Sequence, residues 1–421
     1  MKRLNIILTI TMALLFVASS SASAGTEVAI CTNPSTQSYP AIWGDRIVWM
    51  DNRNGNYDIY MYDLSTSSET QITNVENDQS RPAIWEDRIV WMDARSGNND
   101  IYMYDLSTSS ETQITTNTSD QWDPVIWGDQ IVWMDFRNGV ADIYRYDLTA
   151  LTESPVCTAT NTQQSAALWE DRIVWLDDRE QYFYQQIYMY DISTTTEMCL
   201  NINSSSVVTP SIWGNWVVWQ DDRNGMINSD IYGYDIAAGI EVPICTDTKD
   251  QWSPDIWDNR IVWADKRNGG YDIYMYDLAA GVEIPLHKNS GPMVDLDIWG
   301  DRIVWEDSRN ASSDIYMYEI GPLTTSTSLS TTSSTTSSTT STTTIICFSG
   351  KIYGEDSEEL KLLRSFRDHV LSKTPEGREL IKLYYMWSPV IVSAMEEDEE
   401  FKEEVEEMID GVLMLIKGEM D

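Results

Sequence analysis

One phrase, met first as IWGDRIVWMDNRNGNYDIYMYDL from Ile42 to Leu64, recurs along the chain and limits its fold more than any other feature. Its first tryptophan falls at Trp43, Trp85, Trp127, Trp169, Trp213, Trp257 and Trp299, at spacings of 42, 42, 42, 44, 44 and 42 residues. A second tryptophan follows six residues after each, from Trp49 to Trp305. Each unit reads as four short strands. The first ends at the first tryptophan, and a Gly-Asp or Glu-Asp turn leads into the β-branched run RIVW. An Arg-Asn-Gly turn then precedes DIYMY, and Leu-Ser-Thr-type residues precede a weak fourth strand such as ETQIT. Four strands in about 42 residues, seven times over, predict an all-β, seven-bladed propeller.

The two ends of the repeat array favour a closed ring. The seventh unit stops after DIYMYEI at Ile320, without a fourth strand. TEVAICT, at Thr26 to Thr32, matches the fourth-strand segments elsewhere, EVPICT among them. The N-terminal strand is therefore expected to complete the last blade. An open solenoid has no reason for such a permutation and would need a capping repeat at each end.

These units resemble the TolB-type, WD-like propeller repeats, whose pattern is a tryptophan, a turn, an apolar strand, a polar turn and then Asp-Ile-Tyr. The resemblance covers about 300 residues and implies a propeller fold and an exported location, not an activity.

Every unit carries Asp-x-Arg after its second tryptophan, from Asp51/Arg53 to Asp307/Arg309. Six of seven add an aspartate before Ile-Tyr, such as Asp58 and Asp100, with Gln186 in the fourth. Seven calcium loops would want an oxygen ligand where the arginine stands, so each arginine is expected to bridge carboxylates across its own hairpin. The paired tyrosines, Tyr60/Tyr62 through Tyr316/Tyr318, are expected to pack the blades. No metal and no cofactor is called for.

Function is sought where the repetition breaks. The longer second turn of blade four carries Tyr182, Phe183 and Tyr184, and the connections entering blades three and six carry Trp122 and Trp252. Both kinds of loop belong to one rim of a propeller, where such aromatics suit a surface protein, a peptide or a glycan. Local packing over the blade edges explains them equally well. Catalysis is not expected. Gly-x-Ser-x-Gly and His-Glu-x-x-His do not occur, and adjacent carboxylates such as Asp177/Asp178 and Asp221/Asp222 point to opposite faces of a strand.

Residues 1–24 read as a secretory leader: Lys2 and Arg3, an apolar run, then Ala22-Ser23-Ala24 for cleavage after Ala24. An uncleaved anchor is the alternative, and no later segment is long and apolar enough to span a bilayer. Cysteines at 31, 157, 199, 245 and 347 form neither a disulfide framework nor a CxxC site, and the first four are expected to be buried thiols. The propeller should occupy 25–321, followed by a linker over 322–346. Within it, 324–344 is serine or threonine apart from Leu329, the composition of an extended stalk. Asn117, Asn203 and Asn310 lie in glycosylation sequons.

From 347 the period becomes helical, with three amphipathic segments. Cys347-Phe348, Tyr353-Gly354, LRSFRD at Leu363 to Asp368, Glu376-Gly377-Arg378 and LYYMWSPVI at Leu383 to Ile391 resemble the CFI-box C-terminal domain of exported prokaryotic proteins. Its position suggests sorting or retention through an envelope component, with Cys347 a candidate attachment point and a buried thiol the alternative. The formal charge of −39 excludes sequence-independent nucleic-acid binding, which needs lysine and arginine to displace counterions. The sequence thus predicts an exported, non-enzymatic recognition or scaffold ring. The alternatives are a self-assembling surface-layer component and a carbohydrate-active propeller enzyme.

Overall fold

The computed structural model describes residues 25–179, 185–201, 207–225, 228–288, 291–310 and 312–321. Seven four-stranded antiparallel sheets form the blades. The inner strands are Gln37–Trp43, Gln79–Trp85, Gln121–Trp127, Gln163–Trp169, Val207–Trp213, Gln251–Trp257 and Met293–Trp299. The seventh blade takes Thr26–Cys31 as its outer strand, with Thr26 opposite Glu319 and Ala29 opposite Tyr316. The predicted closure is therefore the observed one. Gly25 packs so closely there that an added Cβ would lie 2.2 Å from the Glu319 carbonyl oxygen.

One module explains why each unit folds alike. The second tryptophan, as in Trp133 of blade three, is fully buried, and burying such a side chain contributes at least about 2 kcal/mol. Its indole N–H donates to the aspartate two residues on (Trp133 Nε1 to Asp135 Oδ2, 3.0 Å). That carboxylate, wholly buried, also accepts from the following arginine (Arg137 Nη2, 2.6 Å). The guanidinium lies 4.1 Å from the Tyr144 ring centroid and reaches Glu153 on the outer strand at 2.6 Å. All seven blades repeat the set, and in the seventh the glutamate is Glu27, from the closing strand (2.7 Å to Arg309). The arginines thus bridge carboxylates across their blades, and the tyrosines pack against them.

Cys31, Cys157 and Cys245 are buried and Cys199 is half-buried. Burial pushes the Cys31 thiol up to about 11 and the Cys157 thiol up to about 12, which leaves both in the unreactive form at neutral pH.

The first tryptophan of each unit has a different task. The seven indoles form an unbroken circle, with centroids 3.7 Å apart for Trp43–Trp85 and 3.4 Å for Trp257–Trp299 and Trp43–Trp299. Contacts also skip blades, Trp43 lying 6.0 Å from Trp257 and 5.4 Å from Trp127. The rings therefore meet on the axis and close that end of the central channel.

Candidate functional site

The open end of the channel is lined by the inner strands above this tryptophan floor. Aligned, they read QSYPAIW, QSRPAIW, QWDPVIW, QQSAALW, VVTPSIW, QWSPDIW and MVDLDIW. The last two columns scarcely change. The third column changes in almost every blade: Tyr39, Arg81, Asp123, Ser165, Thr209, Ser253 and Asp295. Each of these residues has a left-handed backbone, with φ between 48° (Thr209) and 54° (Tyr39). A bulge in each inner strand forces this, the ladder register slipping between Ser38 and Ala41 in blade one and at the matching point elsewhere. A non-glycine residue so held costs on the order of 1–3 kcal/mol, and strain of this kind gathers at functional sites. For β-branched Thr209 it is a clear outlier.

Side chains of this layer meet across blades. Arg81 Nε lies 2.9 Å from Asp123 Oδ1 of the next blade. The Arg81 guanidinium stacks 4.4 Å from the Tyr39 ring centroid of the preceding one. Burial pushes the Asp123 carboxyl above its ordinary value, with Arg81 opposing. Asp295 completes the group. Burial, reinforced by the charge of Glu306, pushes its carboxyl up to about 6 although Arg81 acts the other way. Such a group exchanges protons near neutral pH, as general acid–base chemistry requires.

One layer deeper, the fifth column is apolar in four blades (Ala41, Ala83, Val125, Ala167) and polar in three (Ser211, Asp255, Asp297). Asp255 and Asp297 are deeply enclosed but keep some surface toward the channel. Burial raises both carboxyls, and the charge of Asp255 raises Asp297 further. Ser211 Oγ donates to Asp255 Oδ1 at 2.6 Å.

Of the aromatics singled out by sequence, two are described, and they belong to different blades. Trp122 and Trp252 are the second residues of their inner strands, three blades apart. Trp122, 39% exposed, rests on Phe136 with centroids 4.8 Å apart. Trp252 is half-buried, with Tyr271 at 5.3 Å and Lys266 Nζ 5.0 Å from its centroid, and its indole N–H donates to the Met293 carbonyl at 3.3 Å. Tyr182, Phe183 and Tyr184 lie outside the described residues, as do Asn203 and Cys347. Asn117 is half-buried, its side-chain oxygen accepting from the Ser119 amide at 3.0 Å. The Asn310 amide donates to Asp314 at 2.6 Å, the task Asn138 has toward Asp142 in blade three. Among the described residues no group of three or more His, Cys, Asp or Glu is placed to hold a metal ion.

No protein-family model matches the chain, and no curated protein sequence matches it. Solved structures do. The propeller domain of the Trilobed protease from Pyrococcus furiosus is 17% identical, with a TM-score of 0.54 over 68% of this chain and 95% of that one. That domain is described as having an open velcro topology, whereas this ring is closed by its N-terminal strand. An oligogalacturonate lyase in complex with manganese is 12% identical, with a TM-score of 0.55 over 72% of this chain and 96% of that one. Pyrococcus horikoshii acylaminoacyl peptidase is 16% identical (TM-score 0.51), and this chain covers 67% of its own length and about half, 51%, of the peptidase. At such identities the likeness establishes the seven-bladed fold alone.

It also corrects the expectation of a non-enzymatic ring. The neighbours are propellers of peptidases and a lyase, and the lyase is matched over nearly its whole length. A ring of this kind is thus no argument against catalysis. Carboxylates adjacent within one strand cannot form the pair that such chemistry needs. Asp177 and Asp178 do diverge, one to Arg179 and the other to the Thr162 amide. The carboxylates that come together arrive from different blades.

Proposed function

We propose that the ring is the carbohydrate-active part of an exported, envelope-associated protein, with its site at the open end of the channel. The observation that carries this reading is the third-position layer, a set of strained and varied side chains, most of them polar, around the channel. Hydroxyl groups, a guanidinium oriented by Asp123 and Tyr39, and buried carboxylates suit a ligand rich in hydroxyls. Trp122 adds an exposed aromatic face at the rim. Asp295 is the group we assign to proton exchange with the substrate, because it stands in this layer beside Arg81 and Asp123 and burial pushes its carboxyl up to about 6. The likeness to a lyase whose name places its chemistry on a saccharide, matched over 96% of that chain, supports this reading.

The remaining parts extend the proposal. The leader exports the chain, and the TolB-type likeness of the repeats agrees with that location. The serine/threonine tract leads into a CFI-box-like terminal segment that serves sorting or retention through an envelope component, Cys347 being the attachment candidate. Asn117, Asn203 and Asn310 are candidate glycosylation points, Asn310 the weakest because its amide is engaged.

A glycan array probed with the full chain, followed by calorimetry on the best glycan, tests this. Arg81→Ala is expected to weaken binding at least about tenfold, the loss of one charge-assisted hydrogen bond or more. Failure of every glycan to bind, or equal affinity in the variant, counts against the channel site.

A further inference from the structure

We propose that Asp255 and Asp297 form a pH-sensitive clasp that holds the closed end of the channel and the seam where the last blade meets the first. The pair joins four blades. Ser211 Oγ of blade five donates to Asp255 Oδ1 of blade six at 2.6 Å. The Ile298 amide of blade seven donates to Asp255 Oδ2 at 2.9 Å, and the Ile42 amide of blade one donates to Asp297 Oδ2 at 2.8 Å. The carboxyls of Asp255 and Asp297 face each other across the blade boundary, and two carboxyls so placed are held together best when they share one proton. Burial and the charge of Asp255 hold Asp297 well above the ordinary range, and Asp255 is raised too, so the proton belongs to the pair. The other four blades have alanine or valine at this position, so the clasp sits only on the side of the ring that contains the seam.

Among the described residues, Arg81 of the layer above is already paired with Asp123 and stacked on Tyr39. Asp295 on the same strand and Glu306 on the next add negative charge above the pair, with Tyr39 on the first inner strand. Asp221, Asp265 and Asp307 on the second strands of blades five to seven are each paired with their own arginine. Asp230 on the third strand of blade five takes a hydrogen bond from Asn224, and Asp235 takes one from the Ala238 amide. Arg260 and Arg302 are bound to Asp301 and Asp45 at the turns.

Two residues beyond each aspartate stand Trp257 and Trp299, the pair with centroids 3.4 Å apart. Loss of the shared proton sets two like charges against each other directly above that contact. A carboxyl whose folded-state value is raised favours the fold at low pH, and that advantage disappears as pH rises from the unfolded value through the folded one. The clasp therefore tightens toward acid and loosens toward alkali.

The test is thermal unfolding of the full chain from pH 5 to pH 10, with near-ultraviolet circular dichroism of the coupled indoles followed in parallel. For the wild type, Tm is expected to fall by at least about 3 °C across the ionisation, with the indole signal changing at the same midpoint. Asp297→Asn retains a donor toward Asp255 and an acceptor for Ile42, and should abolish the indole transition and the fall in Tm that shares its midpoint, leaving only the part due to Asp295 near pH 6. Ser211→Ala, which removes a donor to the ionised Asp255, should move the midpoint to higher pH. Identical profiles in the wild type and Asp297→Asn overturn the proposal. If Asp297→Asn does not fold, an unmoved midpoint in Ser211→Ala overturns it.

Discussion

Removing residues 25–32 is expected to lower the unfolding free energy by at least about 4 kcal/mol, a large share of what a marginally stable fold possesses. The lost strand contributes Ile30 and Cys31 to the core shared by blades seven and one. It also contributes Glu27, which accepts from Arg309 at 2.7 and 2.9 Å and lies 2.6 Å from His287 Nε2. Without it the strand Asp314–Glu319 becomes an exposed edge, and Arg309 loses its outer partner. A denaturant titration of the shortened chain gives the loss, and a synthetic peptide of residues 25–32 added in trans should recover part of it. An unchanged midpoint would mean that the ring does not depend on this closure. Burial raises the Glu27 carboxyl, but Arg309 and His287 outweigh it and the net shift is downward. Its contribution is therefore present above the unfolded value and lost as pH falls through the folded one.

The second large effect belongs to the repeated module. Arg137→Ala should destabilise the ring by about 3–5 kcal/mol, because Asp135 is left as a buried, uncompensated carboxylate. Arg137→Lys should recover only part of this, since an ammonium cannot span Asp135 and Glu153 while lying flat against Tyr144. Chemical denaturation of both variants decides the matter. A loss below about 1 kcal/mol for Arg137→Ala would reduce the pair to the rank of a surface salt bridge.

The ring itself was legible because a propeller uses each structural position seven times. Two tryptophans per unit, the Asp-x-Arg step and the orphaned TEVAICT strand stand out against any background. The channel was legible in principle. Stacking the seven inner strands separates columns that never change from the third, which changes in almost every blade, and the fifth, which turns acidic only in blades six and seven. It was missed because insertions and extra tryptophans draw attention first. Asp255 and Asp297 are also 42 residues apart in sequence, and only the ring brings them together. The left-handed backbone of Thr209 or Arg81 has no local signal either. Proline follows the third residue in five of the strands, a context that favours extended backbone, so the bulge is imposed by the inner strand's fit to its neighbour.

The pH profile of turnover on the saccharide that binds best tests the central claim most directly. A site at the channel mouth predicts a limb near pH 6 in the wild type that is absent in Asp295→Asn, with binding retained. No turnover, or the same profile in both proteins, would contradict it.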